Sequence, residues 1–381
     1  MKSRTAIMSV ISDVYTDQRV LRTAEVLKEL NYEVLIIGRR VKVFVPNVHS
    51  NYTIYHLKPV FKKTALMYAV FNFLLLCKLI LLVVKHRKKQ ILLYVNDLDT
   101  LLPNYIVSKM FSLSLIYDSH EIFTEVPELQ HKNFRKKVWE SIEKSIVPKL
   151  PFVITVNESI ANYYQGKYHI PFYAVRNVSA PIKVDRLKNR SELNLPNDRR
   201  ILILQGTGIN IHRGAEELVE AMRYLNDNYV LLIIGGGDVI DVLQQKSTEW
   251  QLNQKIIFKN RMPAEELYHY TCAADLGISI DKPNNLNYIY SLPNKIFSYI
   301  NAHIPILSSR LPEIENIIKD YQIGNFIDNH QPQHIAQKIE ETLNSPEYPQ
   351  WKANTFKAEQ ELNWEKEKEK LKSILRQYIN H

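Results

Sequence analysis

The feature that most constrains this chain is an alternation. Short apolar runs of strand length are separated by longer stretches with helical spacing through most of its 381 residues. In the first half the expected strands are Ala6–Ile11, Glu33–Ile37, Thr53–Leu57, Ile91–Val95, Leu113–Tyr117, Phe152–Val156 and Tyr173–Val175. Expected helices between them are Gln18–Leu30, Ala65–Lys85, Leu101–Phe111, Phe134–Ser145 and Ser159–Gly166. Such alternation predicts βαβ units and a parallel sheet. A polar stretch at 181–198 reads as a linker, and the alternation then restarts. Strands are expected at Arg200–Leu204, Val230–Ile234, Ile256–Phe258, Leu276–Ile280 and Ile304–Leu307. Helices are expected at Arg213–Leu225, Val239–Trp250, Ala264–Ala273, Leu292–Ala302, Pro312–Ile318 and Pro332–Leu343. The tail from Trp351 to Ile379 reads as a long charged helix broken near Asn363. The expectation is an α/β chain of two doubly wound, Rossmann-like domains, 1–180 and 199–350, facing a cleft, with a tail at 351–381. Ligands of such sheets bind at the carboxyl ends of the strands.

Composition narrows the chemistry. Only ten glycines are present, and Gly206, Gly208, Gly214, Gly235, Gly236 and Gly237 fall in one short stretch. Clustered glycine suggests a backbone that must come close to something there. Two cysteines, Cys77 and Cys272, exclude a disulfide framework or a zinc ribbon and fit a reducing compartment. The apolar run Thr5–Ile11 is too short for a signal peptide and fits a first buried strand. Residues 1–180 hold 25 Lys and Arg against 14 Asp and Glu, a net +11, whereas 181–381 hold 24 against 26, a net −2. The basic half fits nucleic acid, an anionic membrane surface or an anionic substrate, or simply solvated helix ends. No aromatic-interleaved nucleic-acid motif accompanies it, so no nucleic-acid partner is expected. Ala65–Val84 has only Asn72 and Lys78 as strong polar interruptions. Spanning a bilayer would cut the first domain in two, so the segment is either a buried crossover helix or a helix lying in the membrane interface.

Three segments of the second half can carry chemistry. Leu202–Leu218 reads as strand, glycine turn, helix: Gly206, Thr207 and Gly208 form the turn and Arg213 brings charge to the helix start. Such a turn suits an anion, or is merely tight. Ile234–Asp238, with Gly235 and Gly236, is a second strand-to-helix turn for close approach or packing. In Asn287–Tyr299, Pro293 presets a helix start, so Ser291, Asn294 and Lys295 are expected in its first turn, as a phosphate site or an ordinary cap. No His, Asp and Glu cluster has clear metal-ligand spacing.

In this order the three segments resemble the C-terminal half of GT-B glycosyltransferases of the family 4 type (glycosyltransferase group 1). Ser291-Leu-Pro-Asn-Lys-Ile-Phe-Ser-Tyr-Ile-Asn-Ala-His-Ile-Pro-Ile-Leu307 is similar to that family's "slPnKlfEYmaaGlPvv" segment. In the first half Asp17-Gln-Arg-Val-Leu-Arg22, Asn96–Pro103, Tyr117-Asp-Ser-His-Glu121 and Arg176-Asn-Val178 resemble the family's acceptor-side segments and domain exit.

The resemblance implies a GT-B fold, with 351–381 returning to the first domain. It implies that Arg213 and Lys295 bind the diphosphate of a nucleotide sugar and stabilise the leaving group, with room made by Gly206 and Gly208. Thr207, Gly235, Gly236, Tyr290, Ser291, Pro293, Asn294 and Ser298 would line the donor site, with Arg261 near the base. His120 matches a histidine near the transferred sugar, though by itself it could be a capping or core residue. Asp97, Asp99 and Glu121 would lie on the acceptor side, or the two aspartates would merely cap the next helix. One departure stands out. Where the family usually has two glutamates with seven residues between them, this chain has Tyr290 and Ser298, so its ribose and donor-sugar contacts must differ. The expected function is transfer of a sugar from a UDP- or GDP-sugar to a glycan or lipid-linked acceptor in surface polysaccharide or glycoconjugate synthesis. By resemblance the reaction retains configuration and uses no metal or other cofactor. The protein is expected in the cytoplasm, with its basic half in peripheral contact with the anionic inner face of the cytoplasmic membrane. The alternatives are a sugar-nucleotide epimerase and a non-catalytic sugar-binding relative.

Overall fold

The computed structural model describes residues 3–15, 17–39, 52–58, 65–126, 129, 132–179, 181–182 and 184–379. The chain divides into two units: 1–177 with 367–381, and 178–366.

Unit 1 is built on a seven-stranded sheet. Its strands are β1 (Arg4–Asp13), β2 (Tyr32–Arg39), β3 (Thr53–His56), β4 (Gln90–Asn96), β5 (Ser114–Ser119), β6 (Val153–Thr155) and β7 (Phe172–Ala174). They lie in the order β3-β2-β1-β4-β5-β6-β7, and every pair is parallel. Central β1 is an almost continuous apolar run because both of its faces are covered. The connecting helices are α1 (Gln18–Glu29), α2 (Ala65–Lys85), α3 (Leu101–Phe111), α4 (Asn133–Ile146) and α5 (Glu158–Tyr168). Asp17 and Asn157 start α1 and α5 by accepting a backbone N–H three residues on. The strand order reverses between β1 and β4, the kind of switch point that opens a ligand crevice in doubly wound sheets.

Helix α2 is the one helix among the described residues long and apolar enough to cross a membrane. It joins two strands of the same parallel sheet, which a spanning helix could not do. Met67, Phe71, Leu75, Leu79 and Leu82 form its buried stripe. The opposite stripe is also apolar yet open: Leu66, Phe73, Leu81 and Val84 are exposed.

Unit 2 repeats the plan with β8 (Arg200–Gly206), β9 (Tyr229–Gly235), β10 (Ile256–Lys259), β11 (Leu276–Ser279), β12 (Ile306–Ser309) and β13 (Gly324–Ile327). The order is β10-β9-β8-β11-β12-β13, all parallel, and it reverses between β8 and β11. Its helices are α6 (Ala215–Ala221), α7 (Ile240–Glu249), α8 (Ala264–Ala273), α9 (Leu286–Ile289), α10 (Asn294–Asn301), α11 (Pro312–Tyr321), α12 (Pro332–Leu343) and α13 (Tyr348–Glu361). Period-two alternation divides β8 between two cores. Leu202 and Leu204 join Leu218, Val219 and Ile335, while Ile201 and Ile203 join Ile296, Phe297 and Ile300. Leu193 and Leu195 sit in the second core, so the end of the expected linker is part of this unit. Ala358 and Leu362 also pack there, which puts the first part of the expected tail in unit 2. A break at Leu362 and Asn363 leads into α14 (Trp364–Ile379). The end of α14 belongs to unit 1, where Lys368 and Lys372 each lie 2.6 Å from Glu29 and Tyr378 packs edge-on against Phe152. Strand β13 was not expected from sequence: it is a four-residue edge strand with two buried residues, too short to show a period.

Candidate active site

In unit 2 the site forms at the switch point, where β8 and β11 lie side by side. Beyond β8, Gly206, Thr207 and Gly208 lead through Asn210 to Arg213. Beyond β9, the 235–238 turn packs on this loop. Gly235 has φ +143°, and a Cβ there would enter the Gly206 carbonyl. The two turns are pinned together: Gly236 N–H donates to Gly206 O (3.1 Å), Ile209 N–H to Gly236 O (3.0 Å) and Ile211 N–H to Asp238 Oδ1 (3.0 Å). Clustered glycine therefore serves first to let one backbone approach another. At Gly206 and Gly208 a Cβ would meet only ordinary contacts, so these positions stay open on the outer side of the turn. Arg261, after β10, lies over Gly236 and donates to the Thr207 carbonyl.

Arg213 is delivered by a tight bend. His212 has φ +68° and Gly214 φ +76°, and a Cβ on Gly214 would run into the Ile280 carbonyl. This close approach draws the start of α6 onto the end of β11. There Asp281, with no exposed surface, takes Arg213 Nη1 on Oδ1 and Lys295 Nζ on Oδ2, both at 3.2 Å. The Arg213 guanidinium lies 4.3 Å from the centre of the Tyr288 ring. Burial pushes the Asp281 carboxyl up, but Lys295 and Arg213 outweigh it and hold it below the usual value. Burial pushes the Lys295 ammonium below the usual lysine value, with Asp281 opposing. Burial also opposes charge on Arg213, yet Asp281 raises its pKa overall. Two desolvated cations and one carboxylate leave a net positive site. Arg213 Nε is buried and has no hydrogen-bond partner among the described residues, which is a donor left over for an anion.

Lys295 is the second residue of α10. Pro293 precedes the helix at φ −66° without a side-chain cap, leaving the helix N-terminus to a ligand. Helix α10 begins at Asn294, two residues later than expected. Ser291 therefore stands outside it, and its hydroxyl donates to Tyr288 O (2.9 Å). Ser298 Oγ donates to Asn294 O (3.3 Å), and Tyr290 and Asn294 lie at the surface or half-buried beside them. Sequence reading missed Asp281. Its one signal is an acidic residue just past an apolar strand, at the carboxyl end where ligands bind.

In unit 1 the corresponding strand ends carry a buried polar network. Asp118, at the end of β5, is fully buried and accepts from Arg19 Nη2 (2.6 Å) and the Tyr94 hydroxyl (2.9 Å). Arg19 also donates to Val175 O (2.8 Å), tying α1 to the far end of the sheet. Sequence reading noted Arg19 within a motif but not this pairing, which spans 99 residues. Asp97 has φ +60°, a strained value for a non-glycine residue, and both its oxygens serve His120. Oδ1 accepts the His120 backbone N–H (2.9 Å) and Oδ2 lies 3.2 Å from Nδ1. Burial, partly offset by His120, pushes the Asp97 carboxyl up to about 7. His120 Nε2 lies 3.8 Å from Asp118 Oδ2 and has no hydrogen-bond partner among the described residues. His120 is thus an oriented side chain rather than a helix cap. Asp99 is 3% exposed, so its carboxyl is turned from solvent, and burial raises its pKa strongly. Neither aspartate makes a side-chain cap on the short helix that follows β4. Glu121 is half-buried, and its carbonyl accepts from Ser119 Oγ (2.9 Å).

Residues 185–358 match the family described as glycosyl transferases group 1. That segment is a group 1 glycosyltransferase domain. It contains Arg213, Asp281 and Lys295 and belongs to an enzyme family of glycosyl transfer. No curated protein matches the chain. The fold is GT-B: the chain is similar to sucrose-phosphate synthase from Thermosynechococcus elongatus at TM-score 0.77 and 18% identity, covering 99% of this chain and 100% of that one. It is similar to Anabaena HepE in complex with UDP and glucose at TM-score 0.73 and 13% identity, covering 99% and 100%. It is also similar to WaaG, a glycosyltransferase involved in lipopolysaccharide biosynthesis, at TM-score 0.66 and 13% identity, covering 97% and 99%.

Proposed function

We propose that this glycosyltransferase moves a hexosyl group from a UDP- or GDP-sugar to a glycan or lipid-linked acceptor in surface polysaccharide or glycoconjugate synthesis, with retention of configuration. The observation that carries the reading is the Arg213–Asp281–Lys295 cluster at the switch point of unit 2. As the bond from sugar to diphosphate breaks, negative charge grows on the phosphate oxygens. Two cations already held in place, Lys295 nearly out of water and Arg213 partly so, stabilise that charge more than the ground state needs. The open helix N-terminus at α10 adds backbone donors. HepE, of the same fold, is known with UDP and glucose bound. In unit 1 the reading gives His120 a role at the transferred sugar, with its ring held by Asp97, which is itself assigned to the acceptor side. The reading calls for no metal or other cofactor. A melting-temperature panel with UDP, GDP and their sugars tests it: one nucleoside diphosphate should raise Tm, and a flat panel contradicts donor binding.

The acceptor reading draws on unit 1. The outward stripe of α2 is continued on α3 by Leu102, Ile106 and Met110, all exposed, and the basic run 85–89 follows α2. Apolar area rimmed by lysine and arginine suits the headgroup region of an anionic membrane. Unit 1 accordingly rests on the inner face of the cytoplasmic membrane, and a lipid-linked acceptor is within its reach. A second reading, a non-catalytic sugar-binding relative, is favoured by Tyr290 and Ser298 standing where charged residues are usual. Product formation from a nucleotide sugar excludes it.

A further inference from the structure

We propose that Asp281 is the positioning residue of the anion site, fixing the spacing of Arg213 and Lys295 and keeping the buried Lys295 charged. The inference rests on reading this cluster as a diphosphate site. The two cations come from separate elements, the bend before α6 and the first turn of α10. Side by side and largely withdrawn from water, they would repel, and the lysine, whose ammonium is the stronger acid of the two, would lose its proton. Asp281 prevents this by giving each cation one oxygen at 3.2 Å.

Asp281 is itself held from three sides. The Ile280 carbonyl receives His330 Nε2 at 3.0 Å and packs against Gly214. Lys282 N–H donates to His212 O at 3.0 Å, and the Lys282 ammonium pairs with Glu217 on α6. Ser279 Oγ lies 3.4 Å from Asp281 Oδ2. The other polar groups around the cluster are directed elsewhere. Tyr288 lies against Arg213, the Tyr299 hydroxyl donates to the Ile203 and Ile278 carbonyls, and His330 also meets Ser309 Oγ. None of them can replace the Asp281 charge. An arriving diphosphate therefore finds both cations charged and in place, and need not drive their assembly.

The consequence is a proton count. In the wild type Lys295 is charged before and after diphosphate binding, so the pH dependence of affinity between roughly pH 6 and pH 8.5 should be only that of the ligand's own phosphate ionisation, which lies at about pH 6. In Asp281→Asn, Lys295 gives up its proton in the free protein and regains it on binding, so relative to wild type the affinity should fall further as pH rises, by up to about tenfold per pH unit over that range. Calorimetric titration with UDP, GDP and inorganic pyrophosphate, repeated in buffers of different ionisation enthalpy, reads this directly as a difference from wild type. The double variant D281N/K295R should return to the wild-type pH profile, because a guanidinium does not titrate there. A D281N profile parallel to wild type, or an added D281N slope that K295R leaves in place, overturns the proposal. A loss of affinity through loosened structure alone would move both variants equally and add no slope. If D281N does not fold, D281E keeps the charge and must bind pyrophosphate with the wild-type pH profile; an added slope overturns the proposal. Wild type that binds pyrophosphate but neither UDP nor GDP sinks the nucleotide-sugar reading and leaves Asp281 testable on pyrophosphate. Wild type that binds none of the three sinks both.

Discussion

Lys295 meets a ligand with little water left to shed and Arg213 with part of its water already removed, because the fold packs both against buried Asp281. Removing either cation should therefore cost turnover more than folding: Arg213→Ala and Lys295→Ala are expected to lower kcat by about 10²–10³-fold. Initial rates with the accepted nucleotide sugar check this, and a change within twofold contradicts it. Asp97 gives a stability prediction. Its carboxyl is held near 7, above the unfolded value near 4. The folded chain thus keeps a proton that the unfolded chain releases. The stability tied to that proton is present below about pH 4 and is lost as pH rises through about 7. Asp97→Asn removes this dependence, so thermal unfolding of the variant should decline less than wild type between roughly pH 5 and pH 7.5. Equal declines would show that Asp97 does not hold the proton. Arg213 and Lys295 were legible in sequence because each opens a helix beside a glycine or proline, a local signal. Asp281 was not, since its meaning depends on two cations brought to it by the closing of the sheet. His120 was legible only by resemblance, and its pairing with the strained Asp97 belongs to tertiary structure.

Among elements, the start of α6 depends on the bend at Gly214. Alanine there would have to hold φ +76° and place its Cβ against the Ile280 carbonyl. The variant Gly214→Ala is expected to lose about 2 kcal/mol or more, a Tm drop of roughly 5 °C, together with diphosphate binding. An unchanged Tm would show that this approach is not tight. The two apolar stripes of α2 make a different prediction. Phe73 and Leu81 are 64% and 66% exposed, so serine at both positions should leave Tm unchanged. Binding to vesicles containing anionic lipid should weaken by tenfold or more, since each buried side chain contributes about 1.5–3 kcal/mol. Equal co-sedimentation of variant and parent contradicts the membrane reading. The length and apolar character of α2 are plain in sequence, but which of its faces stays open is decided by the sheet it covers. The late start of α10 had a similar cause: Leu292 continues the apolar spacing, while Pro293 sets the entry geometry and delays the helix to Asn294.

At the scale of the molecule, the alternation of strands and helices was enough to foresee two parallel α/β units. It was not enough to order the strands. That order places the reversals at β1 and β4 and at β8 and β11, and so decides which loops lie together. The unit boundary was also blurred in sequence. The 181–198 stretch is polar enough to read as a linker, yet Leu193 and Leu195 anchor its end in the core of unit 2. The 185–358 segment that matches the group 1 glycosyltransferases falls within that unit, and the proposed donor site with it. The most direct test of that site is calorimetric titration of the wild type and of Lys295→Ala with UDP and GDP. The site predicts saturable binding of at least one of them by the wild type, weakened tenfold or more in the variant. No binding of either nucleotide, or equal binding by both proteins, would contradict it.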